Sequence, residues 1–192
     1  MKKVLWLGLS LIVFAAAQSS RAQDSSDRQT IVLYSPIQYN DGSRSSVDLQ
    51  RTAYAPLSRF GDVGYGFSRI GDAFDWLQSP LAQNDRTVIR DLGTHAWTDG
   101  FNVPWVESLP ELKPGEVRQF FVSTNGKDGC SGCPAEVSTS PATLKAILGH
   151  MYVIHVRDDR RDFFALFRIE ALQRGDNCTI AWKLIPAPQR PQ

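Results

Sequence analysis

GHMYVIHVRDDRRDFFALFRIEALQRGDNCTIAWKLI, Gly149 to Ile185, decides the fold. It divides into three runs rich in β-branched and aromatic residues: Gly149 to Val156, Phe163 to Leu172 and Cys178 to Ile185. The sign-alternating cluster Arg157-Asp158-Asp159-Arg160-Arg161-Asp162 separates the first two, and Gln173-Arg174-Gly175-Asp176-Asn177 separates the last two. Short Gly/Asp/Asn connections between such runs are hairpin signals, so the segment predicts an antiparallel β-meander with the charged cluster as a solvated tip. Side chains alternate along a strand, which puts Cys178, Ile180, Trp182 and Leu184 on one face. The middle run is apolar on both faces apart from Arg168 and Glu170 and therefore belongs at the centre of a sheet.

Outward from this core the pattern thins. Thr30 to Tyr34, Arg86 to Leu92 and Glu116 to Ser123 read as strands. Asn102 to Pro114 carries Pro104, Pro110 and Pro114 and reads as an irregular connection. Thr143 to Leu148 is open between a short helix, with Ser140 as N-cap, Pro141 at its first position and Gly149 after its end, and an extension of the next strand. The words SRFGDV and SRIGDA, Ser58 to Val63 and Ser68 to Ala73, look like a repeat but sit in different contexts. Gly64 and Gly66 make the first copy a loop or a bulged strand. Ile70, Phe74 and Leu77, at i, i+4 and i+7 behind Ser68, make the second an amphipathic helix. The whole reads as mainly β, an antiparallel sandwich or barrel with a C-terminal meander and one or two short helices.

At the N-terminus Lys2 and Lys3 precede an apolar run, Val4 to Ala17, and Ser20 and Ala22 frame a cleavage before Gln23. This is the pattern of a secretory signal peptide, with the run too short to span a bilayer as a helix. The expected organisation is a signal peptide over 1–22, a disordered linker over 23–29, one β-rich domain over 30–186 and a proline-rich frayed tail over 187–192. The expected location is exported, periplasmic or extracellular, and no later stretch is apolar enough to cross a membrane. Losing Lys2, Lys3 and Arg21 leaves 18 basic residues against 20 acidic ones, so no basic excess is present to neutralise a phosphate backbone and nucleic acid is not an expected partner.

Cysteine carries the sharpest chemistry. Cys130-Ser131-Gly132-Cys133 reads as a small structural disulfide between Cys130 and Cys133, with a bridge from either to Cys178, a redox pair and half of a metal site as alternatives. Structural zinc needs four ligands, and these cysteines with one histidine fall short, so no metal or cofactor is expected. Cys178, on the apolar face of its strand, reads as a small buried hydrophobe. His150 and His155, five apart on a strand, point to opposite faces and cannot share a metal ion. No catalytic residues are assigned. Asp91, His95 and Asp99 lie close in sequence and could serve acid/base chemistry, or simply be polar loop residues.

Trp97, Phe101 and Trp105 fall in a loop beside Asp99 and Asn102. Aromatic rings next to amide and carboxylate groups suit stacking on sugars; the same rings could instead fold under the loop and close the end of the core. The expected function is that of a non-enzymatic exported β-domain with a binding or scaffolding role, its partner a carbohydrate or another surface protein. The alternative is a secreted enzyme, either a thiol–disulfide oxidoreductase using the CSGC motif or a hydrolase around His95.

Through GHMYVIHVRDD, FALFRIEAL and GDNCTIAWK, the stretch from Gly149 to Pro186 resembles segments of uncharacterised exported bacterial proteins. The resemblance implies a bacterial origin and a β-rich surface or periplasmic module. It implies no activity and no site residues.

Overall fold

The computed structural model describes residues 27–39, 42–56, 61–68, 73–80, 85–114 and 143–192. Their strands are β1 (Gln29–Tyr34), β2 (Ser46–Asp48), β3 (Ala53–Tyr54), β4 (Val63–Ser68), β5 (Phe74–Gln78), β6 (Val88–Thr94), β7 (Thr143–Lys145), β8 (His150–Arg157), β9 (Asp162–Gln173) and β10 (Asn177–Ile185). They form two five-stranded antiparallel sheets, one in the order β1-β10-β9-β8-β6 and the other β3-β2-β4-β5-β7. The architecture is sandwich-like. The meander predicted from Gly149 to Ile185 is β8-β9-β10, and the apolar middle run, β9, is the central strand of its sheet.

The packing explains why that run is apolar on both sides. Tyr152, Ile154 and Val156 of β8, Ala165, Phe167 and Ile169 of β9, and Cys178, Ile180 and Trp182 of β10 face the second sheet. There they meet Val47, Leu49, Val63, Tyr65 and Leu77. The alternate residues Met151, Val153, Phe164 and Leu166 point the other way and would be bare in a simple two-layer sandwich. A separate cluster covers them, with Trp97, Phe101, Val103 and Trp105 laid over the outer face. Alternation gives way to continuous apolar runs when both faces of a sheet are covered, which is the pattern of β8 and β9. The loop beyond β6 is therefore a third layer over half of one sheet.

The second sheet departs from the sequence reading. Phe74–Gln78 is a strand, not the helix expected from Ile70, Phe74 and Leu77. Leu77 faces the core beside Leu144 in β7, while Trp76 turns to the opposite face. Pairing on both sides, with β4 and β7, overrides a helical spacing that only Phe74 and Leu77 supply among described residues. Thr143–Lys145 likewise extends as a strand. Among the described residues the helical pieces are elsewhere: one turn at Pro36–Tyr39 and a 3-10 turn at Gly42–Arg44.

Gly64 and Gly66, the glycines that spoke against a helix, lie inside β4, where Gly66 is the cross-strand partner of Trp76. A Cβ on Gly66 would stand 2.2 Å from Cζ2 of the Trp76 ring. The indole thus lies directly on the backbone of the neighbouring strand. Gly66→Ala is expected to displace the ring and destabilise the domain by about 1–3 kcal/mol in a denaturant melt, the range for overpacking. The double variant with Trp76→Leu should recover much of that loss.

Polar staples join the sheets at both ends. At one end Asp62, fully buried, accepts from Leu49 N at 2.8 Å and pairs with Arg161 Nη1 at 2.8 Å. Arg161 belongs to the charged tip between β8 and β9, which is a hairpin as expected but is not wholly solvated. Its guanidinium reaches back into the second sheet, steadied by Asp158 at 2.7 Å. At the other end Asp75 Oδ1 accepts from the Tyr65 hydroxyl at 2.6 Å and from Gly175 N at 2.8 Å. Gly175 has φ of 73°, the left-handed conformation that lets the β9–β10 turn aim its N–H at that carboxylate.

Candidate functional site

The loop that follows β6 has no regular hydrogen-bond ladder, so other groups hold it. Asp99 Oδ2 accepts from Ala96 N at 2.7 Å, and Phe101 N donates to Asp99 O at 2.9 Å, which curls the loop tip on itself. Arg168 Nε donates to His95 O at 3.0 Å. Leu109 N donates to Arg86 O at 2.9 Å and closes the far end. Between them, Val106 O lies 2.8 Å from Nδ1 of buried His155, so a histidine of β8 supplies a side-chain partner to the loop backbone.

These anchors present the aromatic rings in fixed poses. Trp97 donates through Nε1 to Glu170 Oε1 at 2.7 Å. Glu170 sits where the β9–β10 register shifts, Thr179 pairing Ala171 and Ile180 pairing Ile169. A bulge of this kind re-aims the unpaired side chain, and here it aims a carboxylate at an indole. The Arg28 guanidinium stands 5.4 Å from the Trp97 ring centroid and the Lys183 ammonium 5.8 Å. Phe101 stacks on His95 at 4.3 Å between centroids. Trp105 leans on Phe164 at 5.1 Å, donates to Glu107 Oε2 at 3.0 Å and lies under Arg190 at 5.6 Å. The Trp105 indole donating to Glu107, with Arg190 beside it, holds that carboxyl below the usual carboxylate range.

The rings do not close the surface completely. A groove of about 760 Å³ runs between the loop, the outer face of the first sheet and the C-terminal segment. Trp97, Asp99, Phe101, Asn102 and Trp105, the five residues singled out in the sequence, all line it. Its opposite wall is Pro186, Pro188, Gln189 and Pro191, and its floor includes Met151 and Leu166. Arg90 and Lys183 add cationic groups. The rings cap the apolar face and also border a cleft. The C-terminal segment borders the groove, with Arg190 Nη2 2.9 Å from Glu107 Oε2.

The histidines divide differently from the sequence grouping. His95 Nδ1 is 3.6 Å from Asp99 Oδ2, an ion-pair separation beyond a good hydrogen bond. Asp91 turns instead to His150, whose Nδ1 lies 2.9 and 3.0 Å from its two carboxylate oxygens. His155 is tied to Val106 O and, through Nε2, to Asp162 at 2.9 Å. The Asp91–His150 pair is an oriented imidazole that spacing could not reveal, because the partners lie on adjacent strands 59 positions apart. Among the described residues no group of three His, Cys, Asp or Glu side chains stands together as a metal-ligand set.

Cys178 is a free, buried thiol on the core face of β10, and burial raises its pKa above the usual thiol value. A bridge from Cys130 or Cys133 to Cys178 is therefore not formed. The proposed Cys130–Cys133 pair and the Glu116 to Ser123 strand lie outside the described residues. Among the described residues no helix is long and apolar enough to cross a membrane. No protein-family model, curated protein or solved structure matches the chain.

The sequence reading did not place Arg90, Lys183, Glu107, Glu170 or the tail prolines beside the aromatic loop. Lys183 sits on a strand face that alternation alone calls solvent. Arg90 emerges on the outer face of β6, and only the folded loop turns those positions into one wall. The Pro-Ala-Pro-Gln-Arg-Pro composition was a usable signal, since proline-rich segments dock on aromatic grooves.

Proposed function

We propose that the protein is an exported, non-enzymatic binding module whose groove takes an extended, proline-rich peptide segment of another surface protein. The observation that carries this reading is that such a segment borders the groove: Pro186, Pro188, Gln189 and Pro191 line it opposite Trp97, Phe101 and Trp105, and Arg190 stands over the Trp105 ring. Prolines hold a chain extended before it binds and bring no N–H that must be satisfied, so they pack on aromatic rings at little entropic cost. Their carbonyls still need donors. Exposed Asn102 and the Arg90 guanidinium border the groove and supply that chemistry.

A sugar fits less well. Pyranose rings stack on bare aromatic faces, and here cations stand over Trp97 and Trp105 while His95 stacks on Phe101.

Titration of the full chain with a ten-proline peptide, followed by tryptophan fluorescence, tests the reading. Saturable binding is expected, weakened about ten-fold or more by Trp97→Ala, as for a central aromatic anchor. Asn102→Ala should weaken it without moving the melting temperature, because that side chain is exposed. Absence of binding, or binding insensitive to both substitutions, contradicts the proposal. Binding of chito- or cello-oligosaccharides at the same tryptophans would overturn the choice of ligand class.

A further inference from the structure

We propose that residues 186–192 are a cis-acting strap, a built-in proline-rich segment that competes with an incoming peptide for the aromatic groove. The inference rests on the groove being the peptide site and adds to it a regulatory element.

The strap begins where the sheet ends. β10 stops at Ile185, and Pro186, Pro188 and Pro191 cannot extend its ladder. From there the segment forms a groove wall through Pro186, Pro188, Gln189 and Pro191. Its one charged residue is its clasp: Arg190 pairs with Glu107 at 2.9 Å and covers the Trp105 ring at 5.6 Å. Both partners of the ion pair are more than half exposed, at 66% and 57%. Exposed ion pairs and cation–π contacts each bias an equilibrium by only about two- to five-fold, so the clasp is weak by construction. A tightly sealed wall would need buried apolar side chains, and Ala187, Gln189 and Gln192 are exposed. The same ring thus holds the strap and lines the cleft, so a ligand that claims Trp105 displaces Arg190.

The geometry also sets a limit. A weakly held strap leaves the competent state a sizeable minority, and the apparent affinity falls by that fraction. Opening the clasp should therefore tighten binding about five-fold, not by orders of magnitude.

The test uses the full chain, with Arg190→Ala and Glu107→Gln made separately. Neither change touches the sheets, and an unchanged thermal melt checks that. Without any probe, strap release is read by NMR as a shift of the Trp105 indole N–H and faster amide exchange over residues 187–190. Affinity for the ten-proline peptide is then read for each variant. The proposal expects strap release in both variants and binding tightened about five-fold, with raised salt acting on the parent chain in the same direction. Release with unchanged affinity overturns the strap and leaves the groove reading standing. Failure of Arg190→Ala to disturb Trp105 or the tail also overturns the strap. Absence of binding in parent and variants alike contradicts the groove reading itself.

Discussion

Trp182→Ala is expected to cost about 3–5 kcal/mol, the range for deleting a large buried aromatic side chain. Trp182 is 1% exposed on the core face of β10 and donates through Nε1 to Leu49 O at 3.0 Å, across the gap between the sheets. The substitution removes packing against both layers and strands a buried carbonyl at the β2–β3 turn. A domain of this size has roughly 5–15 kcal/mol in total, so the variant should sit near its folding threshold. Its thermal midpoint should fall by roughly 8–16 °C. Trp182→Phe, which keeps most of the packing and loses only the hydrogen bond, should cost less than half as much. Equal losses in the two variants would mean that the indole N–H, not the ring, holds the sheets together.

Arg161→Ala is expected to be of similar size, about 3–5 kcal/mol at pH 8, for a different reason. Removing the guanidinium leaves the Asp62 carboxyl fully buried beside the Leu49 N donor without its counter-ion, so at pH 8 it either stays charged and unpaired or takes up a proton. Burial already pushes the Asp62 carboxyl up to about 7, against the opposing pull of Arg161. The sign of the pH dependence follows. The folded protein holds a proton on Asp62 up to about 7, whereas the unfolded chain releases it near 3.8, so this group favours the fold increasingly as pH falls between those values. Without Arg161 the buried carboxyl keeps its proton to higher pH than in the parent, so the damage in Arg161→Ala should shrink from pH 8 to pH 5. The double variant Arg161→Ala with Asp62→Asn should recover stability at pH 8 and lose that pH dependence. Denaturant melts at the two pH values measure both effects. A penalty independent of pH, or no rescue by Asp62→Asn, would show that the hairpin tip acts through packing alone.

How far the sequence reveals this fold depends on where its strands are buried. β8, β9 and β10 are long and apolar enough for their order, their hairpins and the central place of β9 to be read directly. The first sheet's partner could not be read, because β2 and β3 are three and two residues long and β4 is the glycine-broken VGYGFS. In β5 the pair Trp76-Leu77 fits either period. Pairing with β4 and β7, with the indole against the backbone of Gly66, shows why a strand wins, and these are tertiary facts.

The site was legible by side-chain type and illegible by position. Tryptophans beside Asp99 and Asn102 in a proline-punctuated loop point to residues that border the groove. Sequence could not show that the loop folds back over Phe164 and Leu166, nor that residues near 190 return to face residue 105. The charged tip misled for the same reason: Arg161 looks solvated until Asp62 is brought to it from 99 positions away.

The central claim is that the outer aromatic layer is a ligand groove and not only a cover for the sheet. Indole N–H signals test it most directly, because the described tryptophans separate into two classes. Trp97 and Trp105 border the groove, while Trp76 and Trp182 are buried elsewhere. In a titration of the ¹⁵N-labelled chain with the ten-proline peptide, the Trp97 and Trp105 resonances should move together and saturate, with Trp182 unmoved as the internal reference. Signals that all stay in place, or a shift confined to Trp76 and Trp182, would contradict the account.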